Sequence, residues 1–332
     1  MSAEEAASVR LPSDEQREQL MVQAAKLFYD LEKTRTEVAA ELGLTRWQVS
    51  RLLEEARASG IVRIEIVPRS KRRPDLETGL QRAFGLREAV VVPGPGPGSG
   101  EDDATALEFV AEAAGRYIAS IQPRLPLIGV SWGRTMAAVA HWLPPKWNDG
   151  VHVVLVNGAT TLRSSSQRNN MVAEAFARSG NGVASLLPVP AIVGKASTRQ
   201  VLEEDPIIAR VLDLAGQAPV VCFSMGALSH ENVLVGSGYI EPADIDRLAG
   251  RGAVGDLLGR FIDARGEIAD PELDQRTIGL RLEALRAKQR AIAIAAGKPK
   301  HALVLACLRA RYMNVLVTDE ATARFALEHV DG

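Results

Sequence analysis

The stretch TRTEVAAELGLTRWQVSRLLEEARASG, residues 34–60, has the pattern of two short helices joined by a tight turn. Ala39 supplies the small side chain that is needed where the second helix crosses the first. Gly43 falls in the turn, where the chain needs a residue that adopts a left-handed backbone easily. The positions that would face the other helix are all apolar, and together they predict a helix-turn-helix: Val38, Leu42, Leu44, Val49 and Leu52.

The second predicted helix carries side chains suited to DNA. Thr45 can cap its start, and Gln48 three residues later can complete a capping box. A recognition helix enters the major groove with its first turns, where arginine pairs with guanine and glutamine with adenine. For Trp47 three alternatives stay open: a thymine methyl, the sugar backbone, or packing on the first helix. We expect Arg35 to contact a DNA phosphate. The full set of expected DNA contacts is Arg35, Thr45, Arg46, Trp47, Gln48, Ser50 and Arg51.

Positive charge is concentrated around this segment. Residues 33–73 contain ten Lys/Arg and five Asp/Glu, a balance of +5, although the whole chain has a net charge of −2. A local excess of this sign attracts the DNA phosphate backbone. The composition, 46% hydrophobic and 24% charged, is that of a folded globular protein and excludes a disordered chain.

The two cysteines, Cys222 and Cys307, lie in the apolar runs VVCFSM and ALVLACL. They predict buried thiols and neither a disulfide nor a metal site, so we expect no metal and no cofactor. The first residues, MSAEEAASVRLPSDE, lack the pattern of a signal peptide. No apolar run approaches the length that spans a bilayer, which favours a cytoplasmic protein without a membrane partner.

The 332 residues are enough for about two domains. IVRIEIV, residues 61–67, alternates apolar and charged residues like a half-buried strand, which predicts a winged helix-turn-helix. The basic, proline-bounded PRSKRRP that follows is typical of a linker. We predict a DNA-binding domain at 1–68, a linker at 69–75, and an effector and oligomerisation domain at 76–332.

Strand-like and helix-like runs alternate from about Asp75 onward. This alternation predicts an α/β fold with a mostly parallel sheet covered by helices. The strand candidates are Ala89–Val92, Leu127–Val130, Val151–Val156, Val183–Leu187, Val220–Phe223, Ala291–Ala295 and Asn314–Val317.

PLIGVSWGRTMAAVAHWL, residues 126–143, has the pattern of a strand, a tight loop and a helix. A glycine at the loop, Gly133, lets the backbone approach a ligand, and the helix start offers unpaired N–H groups and a positive dipole end. Ser131 and Thr135 add hydroxyls and Arg134 adds a cation. This combination suits a phosphate or a polyhydroxyl ligand, although a plain strand-to-helix turn is equally compatible with it.

Two later segments also have the composition of ligand-binding loops. GAVGD, residues 252–256, places Asp256 beside glycines on a strand or turn. AGKPK, residues 296–300, places Lys298 and Lys300 near a helix start, where the dipole disfavours a cation unless an anion lies between them. A bound phosphate would resolve that conflict, whereas the simpler alternative is that both lysines are solvated.

Two enzyme alternatives remain open from the residues alone. GVSWG, residues 129–133, matches the G-x-S-x-G nucleophile elbow of α/β-hydrolases, but His329 lies in an apparent helix and no oxyanion segment precedes Ser131. A sugar-phosphate isomerase-like enzyme would need a base in the pocket, and the histidines are scattered without paired spacing. Both alternatives are less favoured than a sensor.

The chain resembles the SorC family (SorC/DeoR type) of bacterial sugar-responsive transcription regulators over nearly its whole length. The matching stretches are the helix-turn-helix with its following strand, then IGVSWGRT, GAVGD, AGKPK and MNVLVTDEATA. The resemblance implies an effector domain similar to sugar-phosphate isomerases and deaminases that does not catalyse. It also implies a homodimer or homotetramer whose affinity for operator DNA is altered by a sugar, polyol or sugar phosphate.

The resemblance further implies which residues bind the effector. The loop 131–135 would hold it, and residues at the ends of GAVGD and AGKPK would reach its hydroxyls and phosphate. This chain has Asn157-Gly158-Ala159 where relatives usually have Gly-Gly, and the loop 160–170 is the part expected to set sugar choice. The expected effector site is Ser131, Gly133, Arg134, Thr135, Asn157, Gly158, Asp256 and Lys300.

Overall fold

The chain divides into two compact units, Met1–Arg69 and Ser70–Gly332, each with its own hydrophobic core. The structure is a computed structural model, and it describes residues 14–62, 72–94, 103–160 and 171–330. The strand predicted at 61–67 therefore lies mostly outside the described residues, as does the loop 160–170 that was expected to set sugar choice. Residues 69–71 of the linker predicted at 69–75 also lie outside them, whereas residues 74 and 75 already belong to a helix, Pro74–Phe84. No helix in the described parts of the chain is long and apolar enough to cross a membrane.

The first unit is helical. It contains α1 (Asp14–Ala25), which continues as a π-helical turn (Lys26–Asp30), followed by α2 (Arg35–Leu42) and α3 (Arg46–Ala58). Gly43 ends α2 with φ 66°, the left-handed conformation expected of it. The predicted apolar positions pack together: three are buried, and Leu42 and Leu44 pack on them partly exposed.

The second unit is built on seven parallel strands in the order β1-β9-β8-β5-β2-β3-β4. The mostly parallel α/β fold predicted from the sequence is therefore confirmed, with small shifts in the strand ends. The strands are β1 (Glu88–Val92), β2 (Leu127–Val130), β3 (His152–Leu155), β4 (Val183–Ser185), β5 (Val220–Ala227), β6 (Ala253–Leu257), β7 (Arg260–Asp263), β8 (Arg290–Ala295) and β9 (Val315–Asp319).

The strands β6 and β7 form an antiparallel hairpin, and β6 pairs with the last residues of β5. Strand β7 is absent from the sequence prediction. The hairpin turns through Leu258 and Gly259, which both have positive φ, 55° and 83°. Such a turn usually contains Asn-Gly or Asp-Gly, so the Leu-Gly pair gave no turn signal.

Helices cover both faces of the sheet. Successive residues of a strand accordingly belong to two different hydrophobic clusters, one on each face. Cys222 belongs to one hydrophobic cluster and its neighbour Phe223 to the other. Both cysteines are free and buried, as predicted. The helices are α4 (Pro74–Phe84), α5 (Asp103–Ser120), α6 (Arg134–His141), α7 (Val172–Ser179), α8 (Ala196–Glu204), α9 (Pro206–Gln217), α10 (Val233–Gly236), α11 (Pro242–Gly250), α12 (Pro271–Asp274), α13 (Leu282–Arg286), α14 (His301–Arg309) and α15 (Glu320–Glu328).

Candidate functional site

A cavity of about 90 Å³, open to solvent, lies where β2, β3, β5 and β8 end. Strands β2 and β5 are neighbours, and the chain continues from them toward opposite edges of the sheet. Doubly wound sheets bind their ligands at this kind of switch point, beyond the carboxyl ends of the strands. Seven of the eight predicted effector residues line the cavity: Ser131, Gly133, Arg134, Thr135, Asn157, Asp256 and Lys300.

The start of α6 forms one wall of the cavity. Gly133 precedes the helix with φ 130°, and none of the described side chains caps the helix start. Lys300 Nζ donates a hydrogen bond to Thr135 Oγ1 over 3.3 Å, while Arg134 is exposed and donates from Nη2 to the Glu231 carbonyl over 3.4 Å. A helix N-terminus flanked by two cations favours a bound anion.

Ser131 fastens the loop after β2 to strand β5. Its N–H donates to the Cys222 carbonyl over 3.0 Å, and its Oγ accepts from the Ser224 N–H over 3.3 Å. No histidine among the described residues lines the cavity. His329 instead ends α15 on the surface, with Nδ1 2.8 Å from the Phe325 carbonyl oxygen. Among the described residues the geometry gives Ser131 no histidine base, so it does not support the hydrolase alternative.

Asp256 is the buried carboxylate of the cavity, at 6% exposure. Its Oδ1 accepts from Asn232 Nδ2 over 2.8 Å, and its Oδ2 accepts from the Gly259 N–H over 3.1 Å. Burial raises the pKa of Asp256 above its usual value, and the two hydrogen bonds and the charge of Lys300 offset only part of this effect. The backbone of Gly226 lies so close to the Asp256 carboxyl group that a Cβ on Gly226 would be 1.9 Å from Oδ1.

Asn157 and Gly158 have different surroundings. Asn157 is buried in the cavity wall, and its Oδ1 has no hydrogen-bond partner among the described residues. Gly158, also predicted to face the ligand, does not line the cavity. It packs so closely that a Cβ would lie 2.4 Å from the Pro190 carbonyl oxygen, and its own carbonyl accepts from Trp132 Nε1 over 2.7 Å.

Several polar residues of the cavity were not predicted from the sequence. Ser224 within β5 lines the cavity, as do Ser229 and Asn232 after the strand and Trp132 from the loop after β2. Asn232 caps α10 by accepting from the Leu234 N–H over 2.8 Å while its amide donates to Asp256. The predicted strand ended at residue 223, whereas β5 continues to residue 227. Its true end would have pointed to this loop, because ligands bind beyond strand ends.

The loop that carries Lys300 is held by the start of α15. Asp319 caps that helix by accepting from the Thr322 N–H, and its Oδ2 accepts from the Gly297 N–H over 2.9 Å. The next residue, Glu320, pairs with Arg73 Nε at 2.5 Å. Lys298 is exposed and does not line the cavity, which agrees with the solvated alternative for that lysine alone.

The helix-turn-helix presents its predicted contact face to solvent. All its predicted contact residues are exposed except Ser50, which is partly buried. The Thr45–Gln48 capping box is present: Gln48 N–H donates to Thr45 Oγ1 over 3.3 Å, and Gln48 Oε1 accepts from the Thr45 N–H over 2.8 Å. This use of Gln48 Oε1 competes with the adenine contact predicted for it. Arg35 stacks over the Phe28 ring at 5.6 Å.

A helix-turn-helix combined with a doubly wound unit that holds a polar cavity defines the class of ligand-responsive transcription regulators. The chain belongs to the Sugar-bind family of sugar-binding domains, which it matches over residues 69–328.

Similar proteins agree with this class. The deoxyribonucleoside regulator of Bacillus subtilis (strain 168) is 33% identical over 311 residues, covering 94% of this chain and 98% of that protein. The sorbitol operon regulator of Klebsiella pneumoniae is 28% identical over 315 residues, covering 93% and 98%. The crystal structure of full-length SorC from Klebsiella pneumoniae superposes with a TM-score of 0.67 at 26% identity, covering 93% and 98%.

The resemblance to the SorC family is therefore confirmed. These relatives are transcription regulators and not enzymes. The isomerase-like and hydrolase alternatives are not supported.

Proposed function

We propose that the protein binds operator DNA through residues 1–68 and that a sugar, polyol or sugar phosphate in the cavity of residues 76–332 alters its operator affinity. The observation that carries this proposal is the convergence of seven predicted residues from separate strands on one cavity. The exposed face of α3 supports the DNA-binding half.

The chemistry of the cavity favours a hydroxylated, anionic effector. Ser131, Asn157 and Asp256 offer hydrogen-bonding groups for hydroxyls, and the orphan Asn157 Oδ1 needs a donor. Arg134, Lys300 and the uncapped start of α6 offer the charge complement of a phosphate. The names of the relatives, a sorbitol operon regulator and a deoxyribonucleoside regulator, support a carbohydrate-related effector.

A cytoplasmic homodimer or homotetramer fits this function. A helix-turn-helix protein reads two half-sites about one helical turn apart, or a multiple of it, with two copies of its recognition helix. Effector binding would then change how the copies pack and how the helices are spaced. Coupling of this kind is typically ~1–3 kcal/mol, or roughly 5–150-fold in DNA affinity.

A thermal-shift screen of the full chain against phosphorylated sugars and polyols tests the effector half. A ligand that binds the native state alone stabilises it by about 2.7 kcal/mol at a hundred times its Kd. DNA sequences enriched from a random pool by the full chain then serve as probes for titration with each hit. A hit that shifts the melting temperature and changes DNA affinity supports the proposal. Absence of DNA enrichment, or hits that leave DNA affinity unchanged, would contradict it.

A further inference from the structure

Four side chains form a continuous set of contacts between α1 and the exposed face of α3. Arg17 on α1 donates to Glu55 through two bonds, Nε to Oε2 and Nη2 to Oε1, both 2.9 Å long. Glu55 Oε1 also accepts from Arg51 Nε over 3.2 Å. The Arg51 guanidinium lies over the Trp47 ring, 5.6 Å from its centroid. We call these residues the Arg51 support.

The Arg51 support restricts a side chain that would otherwise be free to move in solvent. A bidentate arginine–carboxylate pair has a defined geometry, so Arg17 fixes the orientation of the Glu55 carboxylate. The hydrogen bond from Arg17 also lowers the pKa of Glu55, so the carboxylate stays charged. Glu55 on one side and the indole ring on another favour one orientation of the Arg51 guanidinium, whose side chain is 58% exposed.

The contact with Glu55 uses Nε of Arg51. Within the described residues, neither terminal Nη atom of Arg51 is engaged in a hydrogen bond, and these atoms are the ones that pair with guanine O6 and N7. The other candidates on α3 differ. Gln48 is engaged in the capping box, and no hydrogen bond or ion pair of the described residues holds the Arg46 side chain.

Trp47 is 68% exposed and is not part of the helical core, so its side chain does not pack on the first helix of the pair. Its place one turn before Arg51 on the DNA-facing side of α3 accounts for that exposure, since it carries the arginine on its ring.

We propose that Arg51 is the guanine-reading residue of α3 and that Glu55 and Trp47 are positioning residues that orient it before DNA arrives. This inference rests on the proposed DNA-binding function. Preorganised side chains discriminate better because less freedom is lost on binding.

The experiment uses the full chain and DNA sequences that it enriches from a random pool. Competition binding then compares the best sequence with versions in which each guanine is replaced by adenine. The position whose preference disappears in Arg51→Ala is the Arg51 position. We expect Glu55→Ala to reduce guanine preference there about tenfold, within the range of one bidentate contact, and to leave other positions unchanged.

The neighbouring Glu54→Ala is the matched control, since it removes the same charge from an exposed position of the same helix. Trp47→Leu is expected to reduce the same preference, and Trp47→Phe to retain most of it, because phenylalanine keeps an aromatic face. If Glu55→Ala fails to fold, Arg17→Gln releases the Glu55 carboxylate from α1 without changing α3, and it should weaken preference at the same position.

Three outcomes overturn the inference: unchanged guanine preference in Glu55→Ala, equal effects of Glu54→Ala and Glu55→Ala, or tighter and more selective binding once Glu55 is removed. The last result would mean that Glu55 holds Arg51 away from DNA. If the unmodified chain enriches no sequence at all, the proposed function fails and not merely the role of the Arg51 support.

Discussion

Gly226 shows how one missing side chain permits the buried carboxylate of the cavity. A Cβ at this position would lie 1.9 Å from Asp256 Oδ1 and 2.8 Å from Asn232 Nδ2. Neither atom can move away without losing the hydrogen bond that joins the two residues. The closeness of this approach explains why glycine stands here, although its backbone needs no positive φ.

Gly226→Ala is therefore expected to displace Asp256, to abolish effector binding and to destabilise the fold by roughly 1–3 kcal/mol, the usual range for overpacking. Urea unfolding and calorimetric titration with a screening hit measure the two effects. Gly216→Ala in α9 is the control, because nothing lies within 4 Å of the new Cβ, and it should leave stability equal or raise it by up to ~1 kcal/mol. Normal effector binding by Gly226→Ala would contradict the geometry.

Lys300→Ala is expected to remove the effector response while leaving DNA binding intact. A charged hydrogen bond to a ligand is worth about 1.5–3 kcal/mol, so effector affinity should fall roughly ten- to hundredfold. Lys298→Ala is the matched control, two residues away, exposed and outside the cavity wall. The measurement is effector titration followed by DNA titration. Equal responses of the two variants would refute the role of Lys300.

At the scale of elements, the two helices of the helix-turn-helix begin in the same way. Thr34 with Glu37 caps α2, and Thr45 with Gln48 caps α3. Each box satisfies N–H groups that have no partner within the helix. The second box lies at the end of α3 that would enter the groove, so its geometry also sets where the first exposed side chains point.

Thr45→Ala should lower the stability of the helical unit by about 0.5–2 kcal/mol and weaken DNA binding, whereas Thr45→Ser should keep both. Thermal unfolding followed by circular dichroism, with DNA titration, provides the measurement. A Thr45→Ala variant with unchanged stability and unchanged DNA affinity would show that neither the fold of the helical unit nor its DNA binding needs the cap.

The helix-turn-helix was predictable because its determinants are local. Its caps, its left-handed glycine and its apolar spacing all lie within residues 34–60. The parallel strands were predictable from apolar runs for the same reason. The hairpin of β6 and β7 was not, since its pairing with β5 is a long-range contact and its Leu258-Gly259 turn has no usual signature.

The cavity was predictable in part. The loop after β2 carries its own signal of glycines, hydroxyls and a helix start. Asn232 gave none, because its hydrogen bond to Asp256 depends on how β5 and β6 pair, and Ser224 gave none, because its contact with Ser131 depends on how β2 and β5 pair. Gly158 does not line the cavity because it packs against Pro190, and nothing in the local sequence indicates that contact.

At the scale of the whole molecule, the first described residues of the second unit are linked to the cavity loop by a short series of contacts within that unit. Arg73, among the first described residues of the second unit, donates its N–H to the Val91 carbonyl and pairs with Glu320. Asp319, the preceding residue, holds the Gly297 N–H, and the Gly297 carbonyl accepts from the Lys300 N–H over 3.1 Å.

We expect Arg73→Met and Glu320→Gln each to reduce the effector-dependent change in operator affinity by roughly fivefold while leaving effector affinity nearly unchanged. The double variant should be no worse than Glu320→Gln alone, because that change already removes the ion pair with Arg73 as well as the one with Arg324. The Glu112–Arg116 ion pair on α5 is the control pair for the same substitutions. Full coupling in Arg73→Met would exclude this ion pair from signalling.

The adjacent acids Asp319 and Glu320 give one helix start two tasks. The Asp319 carboxylate binds the cavity loop through the Gly297 N–H, and the Glu320 carboxylate binds Arg73, among the first described residues of the second unit. We therefore expect that effector binding need not remodel the sheet to be transmitted, because a displacement confined to this single helical turn would affect the cavity loop and the first described residues of the second unit together.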